Sequence, residues 1–90
     1  MDSKSKILEK RKGAFEKFKK SPGNMGFDFV CATAGLFGFE KKGGKGSHTV
    51  FTRKGVFHIL NFQNVKGKVK PYQIKQFLKI IEENNLTEEL

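Results

Sequence analysis

Ser47-His48-Thr49-Val50-Phe51-Thr52-Arg53-Lys54-Gly55-Val56-Phe57-His58-Ile59-Leu60-Asn61-Phe62 is the stretch that decides the fold. Two runs rich in β-branched and aromatic residues, 47–53 and 56–62, flank Lys54-Gly55. Glycine supplies the positive φ that a two-residue hairpin turn requires, so the pattern predicts two antiparallel strands and a tight hairpin between them.

Upstream, Phe39–Lys42 reads as a further strand, separated from the hairpin by the glycine- and lysine-rich loop 43–46. Before it, Phe27, Val30, Cys31, Ala34 and Phe37 recur at helical spacing. They predict a second helix from Met25 to about Phe37, with Asn24 as N-cap, Asp28 near the positive end of its dipole and Gly38 as the left-handed residue that ends it. A strand over 27–30 is the competing reading. Ile7, Leu8, Arg11, Ala14, Phe15 and Phe18 form one stripe of a first helix over 3–20, which Ser21-Pro22-Gly23-Asn24 terminates. Gly13 lies in the middle of that helix and costs it about 1 kcal/mol relative to alanine.

Downstream, 63–70 is a polar, lysine-bearing loop. Pro71 suits the first turn of a last helix, whose apolar face is Ile74, Phe77, Leu78 and Ile81 and whose end falls near Asn84. Residues 86–90 are expected to form a short turn or frayed end. The whole is one α+β domain of order ααβββα, an antiparallel three-stranded sheet with helices on one face. Residues 1–23 are a basic helical extension and 24–86 the core unit.

Ninety residues allow a single small core, and ten phenylalanines supply its bulk. One cysteine, Cys31, rules out an internal disulfide, and two isolated histidines make no metal-ligand spacing. No cofactor motif is present, and the run 27–39 is too short and too interrupted to span a membrane, so a cytoplasmic protein is expected. The net charge is +9, and ten cations lie between Glu40 and Glu82 without one carboxylate among them. A surface of one sign is the footprint of a polyanion binder, nucleic acid first and an acidic protein second.

Of the side chains suited to proton transfer near neutral pH, His48 and His58 are the candidates. His58, between Phe57 and Ile59, reads as packing or edge filling. Gly43 to Gly46 resemble a phosphate cradle, but a strand rather than a helix follows them. RNA cleavage without a metal needs a base, an acid and cations for the charge that builds on phosphorus. His48 suits the first or second role. Lys42, Lys45, Arg53, Lys68 and Lys70 are candidate cations, and Ser47 or nearby amides can donate to a phosphate oxygen.

Gly46-Ser47-His48, preceded by Gly38-Phe39 and followed by Leu60-Asn61-Phe62-Gln63 and Lys70-Pro71-Tyr72-Gln73, resembles the HicA family of bacterial toxins over about residues 24–86. The resemblance implies a fold similar to the double-stranded-RNA-binding domain and an mRNA interferase activity that blocks translation. It also implies a HicB-like antitoxin that covers the histidine. It assigns catalysis to His48, with Gly46 and Ser47 as its motif neighbours. The chain departs from the family in its longer loop at 43–45, in a second helix without the charged residues commonly seen there, and in its basic first helix. A non-catalytic RNA-binding module, or a basic protein with an acidic partner as its only ligand, are the alternatives.

Overall fold

A computed structural model describes residues 3–88. In chain order it contains α1 (Ser3–Lys20), α2 (Phe27–Leu36), β1 (Glu40–Gly43), β2 (His48–Thr52), β3 (Leu60–Gln63) and α3 (Pro71–Glu83). The strands form one antiparallel sheet in the order β1-β2-β3, which leaves β3 as an edge.

Phe51, Leu60 and Phe62 turn into the core, while His48, Val50, Asn61 and Gln63 share the opposite face. On the core side Phe77 of α3 is the hub. Its ring lies 5.5 Å from those of Phe18 and Phe62, 5.7 Å from Phe37 and 6.0 Å from Phe39. Three elements, α1, β3 and α3, and the α2–β1 junction thus meet on one side chain.

The α1 stripe is present, with Arg11, Ala14 and Phe18 buried. Arg11 is charged yet 5% exposed, and it donates from Nε to the Leu36 carbonyl at 2.8 Å and from Nη1 to the Leu86 carbonyl at 3.3 Å. Burial, and then the neighbouring charge of Arg53, hold its guanidinium below the usual arginine range. The first helix is therefore docked by hydrogen bonds as well as by apolar area.

α2 is a helix, and the strand over 27–30 does not form. It starts two residues later than expected, with Gly26 rather than Asn24 as N-cap. The reason is a competing acceptor: the Phe27 amide donates to the Gly67 carbonyl at 2.8 Å, and the Asn24 side chain instead accepts from Lys68 Nζ at 2.6 Å. At the other end Gly38 takes φ +87°, with Phe39 N–H donating to Ala34 and Gly38 N–H to Gly35, the bonds of a Schellman motif.

The hairpin needs correction. A turn does form at 53–56, closed by Val56 N–H donating to the Arg53 carbonyl with Gly55 at φ +87°. The ladder nevertheless resumes only at Leu60, which pairs with Phe51. A two-residue loop would set His58 opposite Phe51 on the core face. A slip of two residues preserves the face while replacing that histidine with Leu60. Residues 56–59 then lie outside the ladder, with Phe57 94% exposed. The first strand also shifts, to Glu40–Gly43, with a bulge between Lys41 and Gly43.

The last helix buries Ile80 where Leu78 was expected, and Leu78 is half-buried. Beyond it, Leu86 is part of the core rather than a frayed end. Asn85 adopts φ +53°, Leu86 N–H donates to the Ile81 carbonyl and Asn85 N–H to that of Glu82, so a second Schellman motif folds Leu86 back onto Ile81. Residues 89 and 90 of the expected terminal turn lie outside the described residues.

Candidate functional site

The β1–β2 loop and the turn after β3 meet at one end of the sheet. Lys45 accepts from the His48 amide at 3.2 Å, which closes a turn over Gly46 and Ser47, and the Asn64 amide donates to the Ser47 carbonyl at 2.8 Å. Val65 and Lys68 then exchange backbone hydrogen bonds around Lys66-Gly67, both at positive φ, and Asn64 Oδ1 accepts from the Gly67 amide at 2.7 Å. The loop carrying Gly-Ser-His and the loop carrying Lys66 and Lys68 are thus held side by side.

His48 opens β2, exposed, opposite Gln63. Its Nδ1 lies 3.3 Å from Asn61 Oδ1 on the same outer face. An amide oxygen can only accept, so this contact selects the tautomer with hydrogen on Nδ1 and presents the lone pair of Nε2 outward. Such an imidazole is oriented to take a proton.

Gly44 positions this histidine from behind. It sits at φ +144°, and a Cβ there would lie 2.1 Å from the His48 carbonyl oxygen and 2.8 Å from Thr49 Cα. The loop crosses the strand so closely that no side chain fits between them.

The expected cations divide into two groups. Lys45, Lys68 and Lys70 are exposed, Lys45 in the loop that leads into His48, Lys68 in the adjoining turn and Lys70 as N-cap of α3. Lys66, which was not among the candidate cations, stands in the same turn as Lys68. Lys42 pairs with Glu40 at 3.2 Å. Arg53 lies past the far end of β2, five residues from His48 and so about 17 Å away along an extended chain. Its Nη1 donates to the Phe37 carbonyl at 3.0 Å at the C-terminus of α2. Lys42 and Arg53, with Arg11, Lys54 and Glu40, line a separate notch of the surface. His58 is exposed beside Phe57, with its ring edge-on at 5.7 Å, and lines a groove between β3 and α3.

Asn61 and Gly44 were not identified from sequence as working residues. Asn61 was discernible: it shares the outer face with His48 in the tight-hairpin register and in the observed one alike. Gly44 carried no such signal, since its need for glycine arises from a crossing that only the folded loop creates. Among the described residues no group of three His, Cys, Asp or Glu side chains is placed to hold a metal ion, and no helix is long and apolar enough to cross a membrane. No protein-family model matches the chain, and no curated protein or solved structure matches it significantly.

Proposed function

We propose that this protein is an endoribonuclease toxin of a type II toxin–antitoxin system, cleaving mRNA by transphosphorylation with His48 as the proton-transfer residue. The observation that carries the reading is the exposed His48 imidazole, tied through Nδ1 to Asn61 at 3.3 Å, beside two lysine-bearing loops. Nε2 takes the proton from a ribose 2′-hydroxyl, the 2′-oxygen bonds to the adjacent phosphorus, and the bond from phosphorus to the 5′-oxygen breaks, the 5′-oxygen taking a proton from solvent water. Lys45, Lys68 and Lys70 offset the charge on the phosphorane, and Ser47 with the Gly46 backbone holds a non-bridging oxygen. The reading extends to a cytoplasmic protein held inactive by a HicB-like antitoxin that covers His48.

Purified protein and its His48→Ala variant are incubated with single-stranded RNA in the presence of a chelator. Cleavage by the parent and its loss in the variant are expected. Equal cleavage by both, or none by either once folding is verified, would overturn the proposal.

A second reading, a non-catalytic RNA-binding module, draws on the same lysine-bearing end. Under it His48→Ala changes growth arrest and RNA affinity in parallel and only slightly. Relief of growth arrest with RNA affinity intact selects the nuclease.

A further inference from the structure

β3 is an edge strand, and a chain carrying 18 lysines and arginines in 90 residues places none of them between Gly55 and Val65. Exposed strand edges are ordinarily guarded by inward or flanking charges, lysine above all, because their free backbone groups template pairing with another chain. Here the strand and its extension carry no such charge of their own, the nearest in sequence being Lys54 and Lys66.

The register identifies which backbone groups are open. Since Asn64 donates to Ser47, residues 60, 62 and 64 direct their amides and carbonyls toward β2, and those of Ile59, Asn61 and Gln63 face the outer edge. The Gln63 amide is capped by Gln73 Oε1 at 3.0 Å, which closes one end of the edge. From Asn61 back to Ile59 the edge stays open above a groove of about 260 Å³ whose wall includes Gln76, Lys79, Ile80 and Glu83. Ile59 is 63% exposed and Phe57 94% exposed, so the strand's apolar extension is uncovered.

We propose that the β3 edge is a protein-docking site that takes an extended acidic segment of a partner as a fourth strand. Strand addition matches the free backbone groups, and the uncovered Phe57 and Ile59 match alternate apolar side chains. The charge decides between occupants. A second copy brings another net +9 against this one, whereas an acidic chain is drawn to it; the groove lining itself adds one charge of each sign, Lys79 and Glu83. An added strand lies one strand spacing, about 4.8 Å, from Asn61, and about twice that from His48. Docking at this edge therefore crowds the outer face of the sheet without needing contact with the glycine loop.

The test uses the full chain and two twelve-residue peptides, one alternating glutamate with valine and one alternating lysine with valine. Binding is followed by anisotropy, and hydrogen exchange is followed at the Asn61 amide. The glutamate peptide is expected to bind, to slow exchange at Asn61 at least tenfold, and to lose at least tenfold in affinity on Ile59→Glu, with circular dichroism unchanged. The lysine peptide is expected to bind at least tenfold more weakly. Failure of the glutamate peptide to bind, or binding with exchange at Asn61 unaltered, or equal binding of both peptides, overturns the proposal. A sedimentation dimer abolished by Ile59→Lys assigns the edge to a second copy and also overturns it. RNA cleavage is read in a separate assay, so neither result depends on the other.

Discussion

His48 Nδ1 and Asn61 Oδ1 stand 3.3 Å apart across the outer face of β2 and β3. Under the proposed reaction this hydrogen bond gives Asn61 the role of a positioning residue, one that orients the ring without touching the reacting atoms. Asn61→Ala is expected to lower kcat for RNA cleavage by about 10- to 100-fold with KM little changed, because a misplaced base loses reactivity more than affinity. Asn61→Asp keeps the acceptor and retains most of the rate, while His48→Ala loses about 10²- to 10⁴-fold. Full kcat in Asn61→Ala would show that the ring needs no such support.

Gly44 makes a prediction about the loop. Gly44→Ala is expected to destabilise the fold by about 1–3 kcal/mol, since the backbone must move to admit the methyl group. Gly46→Ala, where a Cβ meets nothing within 4 Å at φ +64°, should cost only about 1 kcal/mol. Urea midpoints for the two variants check the order, and a smaller loss at Gly44 than at Gly46 contradicts the crossing geometry.

Binding and stability separate along the cations. Lys68→Glu and Lys70→Glu should weaken RNA affinity steeply, each lowering the slope of log affinity against log salt by about 0.7 for a single strand. Arg53→Ala should leave that slope intact and instead lower the denaturation midpoint, because its guanidinium holds the carbonyl of Phe37, the C-cap residue of α2. Titrations at several salt concentrations distinguish the two outcomes.

Arg11 anchors the first helix. Replacing it with methionine keeps much of the stem but orphans carbonyls at the ends of α2 and α3, and a loss of about 2–3 kcal/mol is expected. Lysine, with no planar fork, should restore little of it. Chemical denaturation of the three proteins measures this directly.

The Cys31 thiol is pushed up by burial first and by the charge of Asp28 second, with Lys41 opposing. A raised folded-state value means that the neutral thiol is favoured in the fold. The associated stability is complete below the unfolded thiol's value of about 8.5 and is lost as pH climbs from there through the raised folded-state value. Between about pH 8 and 10 the urea midpoint of Cys31→Ser should fall less than that of the parent.

Element types were legible in the sequence because each rests on a periodicity: the α1 stripe, the α2 face ending at Gly38, and Pro71 opening α3. The hairpin register was not. Lys54-Gly55 does turn the chain, but the choice between His58 and Leu60 opposite Phe51 is made by the core, which no local signal reports. The α2 N-cap failed for a related reason, since the carbonyl that replaced Asn24 belongs to Gly67, far along the chain. Leu86 was readable in principle, as Asn84-Asn85-Leu86 has the composition of a helix end with an apolar residue folded back. At the site, Lys45, Ser47 and His48 share one loop and strand start, and the turn that carries Lys68 adjoins them through the Asn64 bond to Ser47, while Lys68 Nζ itself reaches Asn24 and Lys70 caps α3. Arg53 falls away because a strand carries it to the opposite end.

The Arg11 bond to Leu86 joins residues 75 apart in the chain. At synthesis rates of about 5–20 residues per second, the acceptor emerges roughly 4–15 s after the donor. The first helix made is thus among the last to receive all its anchors, and a nascent chain stalled before Leu86 holds α1 by its α2 contacts, the Arg11 bond to Leu36 among them.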